Sequence, residues 1–71
     1  MEIFSIRLKE ERIRNTYTQK EMADLLEITL RAYQNYEALS KRNHREPNFE
    51  LLVKMADILE VKLDYLLGRE Y

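Results

Sequence analysis

Arg31, Gln34 and Asn35 place a guanidinium and two carboxamides at the three- and four-residue spacings that share one face of a helix. Together they offer a planar fork of N–H donors and two groups that both donate and accept. That is chemistry for reading hydrogen-bonding edges rather than for breaking bonds. Tyr33 and Tyr36 occupy the other side of the same stretch, where their spacing assigns them to a core. More donors follow in Lys41, Arg42 and Arg45, inside a glycine-free segment from Ala38 to Glu46.

Catalytic arrangements find no support. Ser5 and Ser40 lack a nucleophile–base context, no glycine-rich phosphate loop occurs, and the acidic residues fall on solvated helix faces, so no enzyme is expected. The chain has no cysteine and one histidine, His44, which excludes a disulfide framework and leaves nothing to build a metal cluster from. His44 reads as a loop residue and not a ligand. No cofactor is expected.

The elements that must hold these donors are legible from caps and periodicity. Thr18 with Glu21 three residues on fits a capping box, and Met22, Leu25 and Leu26 follow on one face, which predicts a short helix. Glu27 and Ile28 interrupt it. Thr29 then caps a second helix ending near Glu37, so that 18–37 forms two short helices joined by a tight turn. Upstream, a helix is expected from about Phe4 to Asn15, with Phe4 and Leu8 buried, the other residues charged, and Ser5 a candidate early cap. Downstream, Ala38, Leu39 and Ser40 are expected to extend the third helix before a basic loop. Pro47 and Asn48 open a fourth helix carrying Glu50 in its first turn and the apolar stripe Leu51, Leu52, Met55, Ala56 and Leu59. A break at Glu60 and Val61 precedes a fifth, Leu63 to Leu67, closed by Gly68 as a left-handed cap.

The 71 residues predict an all-α fold, one small domain over 1–71 of the size that buries about 60% of its unfolded surface. The formal charge of −1 argues weakly against a polyanion partner, whose binders usually carry a basic footprint. Its distribution matters more: residues 48–71 carry three basic and five acidic groups, which leaves the middle of the chain free to present a local positive surface. Apolar runs fall well short of the roughly 18 residues of a membrane span, and no signal-peptide pattern opens the chain, so no membrane association and a cytoplasmic location are expected.

These residues closely resemble the helix-turn-helix of the lambdoid phage repressor and Cro family, the Xre family of bacterial regulators. Thr18 and Gln19 match the opening of its first motif helix, Ala23 the close helix approach, Ile28 the apolar turn position, and Tyr36-Glu37 the family's "YE". The likeness extends through FSIRLKEERIRN before the motif and EPNFELLVKMADILEVKLDYLLG after it, nearly the whole chain. It implies a compact five-helix bundle of the lambda-repressor type with the motif in helices 2 and 3. It also implies a phage-encoded or bacterial DNA-binding transcriptional regulator, a homodimeric repressor reading an inverted-repeat operator. Departures are Thr16 and Glu27 where relatives often have glycine, Tyr17 for an aliphatic residue, Lys62 for a Ser or Thr cap, and a longer gap between Glu37 and Pro47. Thr16 and Tyr17 read as tolerable; strain or an altered turn is expected at Glu27.

Carried onto this chain, the family's base-reading positions are Thr29, Leu30, Arg31 and Asn35, with Gln34 within reach of a base or a phosphate. Phosphate contacts are expected from Arg12, the Thr18 backbone, Gln19 and Lys20, and from Lys41, Arg42 and Arg45 of the loop. An ion pair Arg12–Glu37 is expected to tie helix 1 to helix 3. The dimer candidates are Leu63, Tyr65 and Leu66, with Leu67 and Tyr71 secondary. The resemblance brings no second domain, so regulation is expected through concentration, salt, a partner protein or an antirepressor. The alternative is an antitoxin-like interaction module that sequesters a toxin or other partner protein.

Overall fold

A computed structural model describes residues 2–69. The described residues form five α-helices and no strand: α1 Glu2–Arg14, α2 Gln19–Leu26, α3 Leu30–Glu37, α4 Phe49–Leu59 and α5 Leu63–Leu66. Three starts are set by side-chain caps. The Thr18 hydroxyl accepts from the Glu21 amide at 3.0 Å while the Glu21 carboxylate accepts from the Thr18 amide at 2.8 Å, a complete capping box. Thr29 accepts from the Ala32 amide at 3.0 Å and Asn48 from the Leu51 amide at 2.9 Å. Lys62 makes no side-chain cap, so the single turn of α5 depends on Leu66, which is fully buried.

All five helices contribute to one core: Phe4 and Leu8 from α1, Met22, Ala23 and Leu26 from α2, Tyr33 from α3, Met55, Ala56 and Leu59 from α4, and Leu66 from α5. Burial of each large side chain contributes about 1.5–3 kcal/mol. The motif helices α2 and α3 are thereby clamped between α1 and α4.

Several expectations need correction. Helix α1 begins at Glu2, so Ser5 is an interior residue and not a cap; its buried hydroxyl donates to the Tyr36 carbonyl at 2.8 Å. Nor are the remaining α1 residues all charged and solvated: Glu11 is buried, accepting from the Tyr65 hydroxyl at 3.2 Å, while Ile3, Ile6 and Ile13 are exposed. Leu25 is exposed too, because an eight-residue helix wedged between neighbours buries only Met22, Ala23 and Leu26. Helix α3 stops at Glu37 without extension, since Ala38 is in extended conformation at φ −66°, ψ 136°.

Three non-glycine residues occupy left-handed backbone: Thr16 at φ 61°, Glu27 at φ 58° and Glu60 at φ 56°. Glu27 and Glu60 each close a helix by donating their amides to carbonyls of the last turn. Thr16, β-branched, is the least suited to this region. Such a residue costs about 1–2 kcal/mol relative to the right-handed region, a cost that glycine avoids. Thr16→Gly and Glu27→Gly are therefore each expected to stabilise the fold by about 0.5–1 kcal/mol, read as a higher urea midpoint at unchanged m. Gly68, at φ +71°, behaves oppositely: an added Cβ would lie 2.8 Å from Ile3 Cγ2, so Gly68→Ala is expected to lower the midpoint.

Candidate nucleic-acid interface

The interface rests on a buried polar hub. Glu37, at the end of α3, accepts from Arg12 Nε at 2.7 Å and Nη2 at 3.2 Å, from Gln19 Nε2 at 3.1 Å, and from the Tyr33 hydroxyl. Arg12 gives its third nitrogen to the Tyr17 carbonyl at 2.9 Å. Both ends of the ion pair are nearly dry, with side chains 11% and 4% exposed. Four donors on one carboxylate join α1, α2 and α3 and fix the roll of α3 about its axis, which decides what its outer face presents.

The hub leaves electrostatic signatures. The bond to Glu37 raises Arg12, outweighing the opposing effect of burial. Burial, then the bond to Glu37, pushes the Tyr33 hydroxyl far above its ordinary value. Between the unfolded value of about 10 and the higher folded one, the unfolded chain loses this proton and the native chain keeps it. Stability should therefore fall by up to about 1.4 kcal/mol per pH unit above pH 10 on this account. Tyr65 is raised as well, by burial and by Glu11, and adds in the same sense. In urea unfolding between pH 9.5 and 11, Tyr33→Phe is expected to show a shallower alkaline loss than the parent, with the residue from Tyr65 remaining.

The opposite face of α3 carries Leu30, Arg31, Gln34 and, partly buried, Asn35. The side chains of Arg31 and Asn35 make no hydrogen bond among the described residues. Gln34 Nε2 lies 3.5 Å from Gln19 Oε1, linking the exposed face back to the hub. Thr29 accepts the Ala32 amide and keeps its own hydroxyl proton free to donate.

Several of the residues named for phosphate contact are already engaged within the fold. Each of the three Arg12 guanidinium nitrogens is engaged and the side chain is nearly enclosed, so within the fold Arg12 serves as a brace. The Thr18 amide is taken by Glu21; the helix start offers the following amides, Gln19 and Lys20, which have no intrahelical partner. Gln19 is half-buried in the hub. Lys20 is exposed but shares its charge with Asp24 at 2.6 Å.

The segment after α3 is ordered by its own bonds. The Ser40 carbonyl accepts the amides of Asn43 at 3.1 Å and His44 at 2.8 Å, and its hydroxyl accepts that of Arg42 at 3.2 Å. The Arg45 amide donates to the Asn35 carbonyl at 3.1 Å, which pins the loop beside α3. His44 Nδ1 lies 3.2 Å from Ser5 Oγ and 3.0 Å from the Ala38 carbonyl. Because the single Ser5 proton goes to Tyr36, His44 Nδ1 must be the donor, and its Nε2 is buried without a hydrogen bond among the described residues. Lys41 and Arg42 project into solvent, while the Arg45 guanidinium folds back onto the carbonyls of His44 at 2.9 Å and Arg42 at 3.4 Å. Nothing local in the sequence signals the Ser5–His44 link, whose partners are 39 residues apart.

At the far end, Leu66 has no surface and is removed from the dimer candidates. Leu63 and Tyr65 are half-buried. Tyr65 lies beneath the Arg7 guanidinium, 4.4 Å from its ring centre. Tyr71 lies outside the described residues. Among those described, no group of His, Asp and Glu is placed to hold a metal ion, and no helix is long and apolar enough to cross a membrane.

A helix-turn-helix family model (HTH_3) matches residues 8–66. The chain is 42% identical over 64 residues to the HTH-type transcriptional regulator ImmR of Bacillus subtilis strain 168, covering 90% of this chain and 47% of that protein. It is 46% identical over 68 residues to the uncharacterized HTH-type transcriptional regulator YqaE of the same organism, covering 96% and 55%. It is 41% identical over 63 residues to the cryptic phage CTXphi transcriptional repressor RstR of Vibrio cholerae serotype O1, covering 89% and 53%. The chain thus spans about half the length of the curated relatives it matches. No solved structure matches it significantly.

Proposed function

We propose, from the premise that the chain belongs to the helix-turn-helix family, that it binds double-stranded DNA sequence-specifically as a cytoplasmic transcriptional regulator, a repressor working as a homodimer on an inverted-repeat operator. The observation that carries this reading is the unengaged donor face of α3, Arg31 with Asn35, held outward by the hub at Glu37. Relatives named as transcriptional regulators and as a phage repressor support it. In the major groove, Arg31 donates twice to guanine O6 and N7, Asn35 bonds adenine N6 and N7, and Leu30 meets a thymine methyl. Thr29 and Gln34 add contacts from the same face. Gln19, Lys20, Lys41, Arg42 and Arg45 anchor phosphates and set position without reading sequence. Leu63 and Tyr65 contribute to the dimer, which pairs half-sites about one helical turn, roughly 34 Å, apart.

The test is selection of bound sequences from a random duplex library at two salt concentrations. Enrichment of a two-fold symmetric site supports the proposal. Retention that merely decays with salt, with nothing enriched, overturns it and directs attention to a protein partner such as a toxin or antirepressor.

A further inference from the structure

The loop after α3 borders the same surface that α3 presents. Arg31, Gln34 and Asn35 of α3 line one shallow concavity together with Ala38 and with Asn43 of the loop. Asn43 is exposed, and its carboxamide makes no hydrogen bond among the described residues. Its backbone, in contrast, is tightly determined: its amide donates to the Ser40 carbonyl at 3.1 Å, and its neighbour His44 is tied to Ser5 of α1 and to Ala38. One residue further, the Arg45 amide is bonded to the Asn35 carbonyl. A polar side chain that is itself unengaged, carried on a backbone fixed on both sides, and lining a hollow that it shares with three base-reading candidates, is arranged as those candidates are.

We infer that Asn43 is a base-reading residue supplied by the loop, and that His44 is its positioning residue. This rests on the DNA-reading proposal and extends it: the loop contributes specificity and not only charge. A carboxamide satisfies adenine at N6 and N7 with two bonds, so the loop reads an A·T pair next to those read by α3. His44 acts through the backbone. Its Nδ1–H spans Ser5 and Ala38, and without that span the Ser40–Asn43 turn would lose its tie to α1.

The experiment compares library selections by the full chain, Asn43→Ala and His44→Ala, with salt-dependent affinity for the enriched site. Asn43 is exposed, so its truncation leaves the fold intact. The expected result for Asn43→Ala is a loss of about ten- to hundredfold preference at one pair per half-site, the other positions and the salt slope unchanged. His44→Ala should weaken preference at that same pair. An Asn43→Ala site identical to the parent's overturns the inference while leaving the repressor proposal standing. Uniform weakening across all sequences assigns Asn43 to the phosphate backbone and also overturns it. Failure of the parent to enrich any site removes the proposal and this inference together. His44→Ala with preference intact at that pair overturns the positioning role.

Discussion

Glu37→Ala is expected to unfold the domain at temperatures the parent survives. The substitution leaves the Arg12 guanidinium enclosed without its carboxylate and strips the partner from the buried Tyr33 hydroxyl and from Gln19. Removing one side of a buried ion pair costs about 3–5 kcal/mol, because an uncompensated charge stays desolvated. A domain of this size has a total stability near the low end of the usual 5–15 kcal/mol, and each kcal/mol lowers its melting temperature by about 4–8 °C. A fall of about 15 °C or more is therefore expected by calorimetry or circular dichroism. Removing the polar groups together, as Arg12→Met with Tyr33→Phe and Glu37→Leu, should restore much of the loss, since no buried charge or buried hydroxyl is then left without a partner. A fall of only a few degrees for Glu37→Ala would mean that water reaches the hub and that the roll of α3 is set by packing alone.

The second large effect concerns Arg31→Ala, on the premise that α3 reads DNA. Arg31 is exposed and makes no bond within the described residues, so stability should be unchanged within about 0.5 kcal/mol. A lost bidentate guanine contact costs about 1–3 kcal/mol, and a symmetric dimer loses it twice, so affinity for the selected operator should fall by roughly 30-fold or more. The loss should be confined to one base pair per half-site. Arg31→Lys keeps the charge but not the planar fork and should recover little discrimination. If binding instead weakens equally on every sequence, and the slope of log affinity against log salt drops by about one per subunit, Arg31 is a phosphate contact and another residue reads the base.

What the chain disclosed in advance divides by distance along it. The caps at Thr18, Thr29 and Asn48 act across three residues, and a pattern that local survives without a tertiary frame. The stripe on α4 was equally plain. Leu25 misled because periodicity locates a face without saying how wide the neighbours are; hydrophobicity permits burial and does not require it. The end of α3 misled for the opposite reason, since Ala38 has good helix propensity but the chain turns extended there to bring His44 back to α1. Buried Ser5 and Glu11 and partly buried His44 owe their enclosure to partners 31 to 54 residues away, and such pairs leave no periodic trace. Arg12 and Glu37 were paired through a family pattern; their own spacing of 25 residues carries no signal. On the outer face, the donor types and their helical register were readable. Inside, the Arg12–Glu37 pair and the Thr18–Glu21 capping box were expected as well, whereas the bond from Arg12 to the Tyr17 carbonyl was not.

The left-handed residues Thr16, Glu27 and Glu60 bear on how such a surface can change over generations. The three sit in separate turns, so relief at each should add nearly independently, to about 1.5–3 kcal/mol. Each is one substitution from a glycine that would touch no residue of the outer α3 face. A lineage that acquires them gains room to accept destabilising changes at Leu30, Arg31, Gln34 or Asn35 and so, on the premise that α3 reads DNA, to drift toward a different operator without falling below the threshold for folding. In this chain that latitude is unused, which ties its outer α3 face to side chains the present scaffold can already carry.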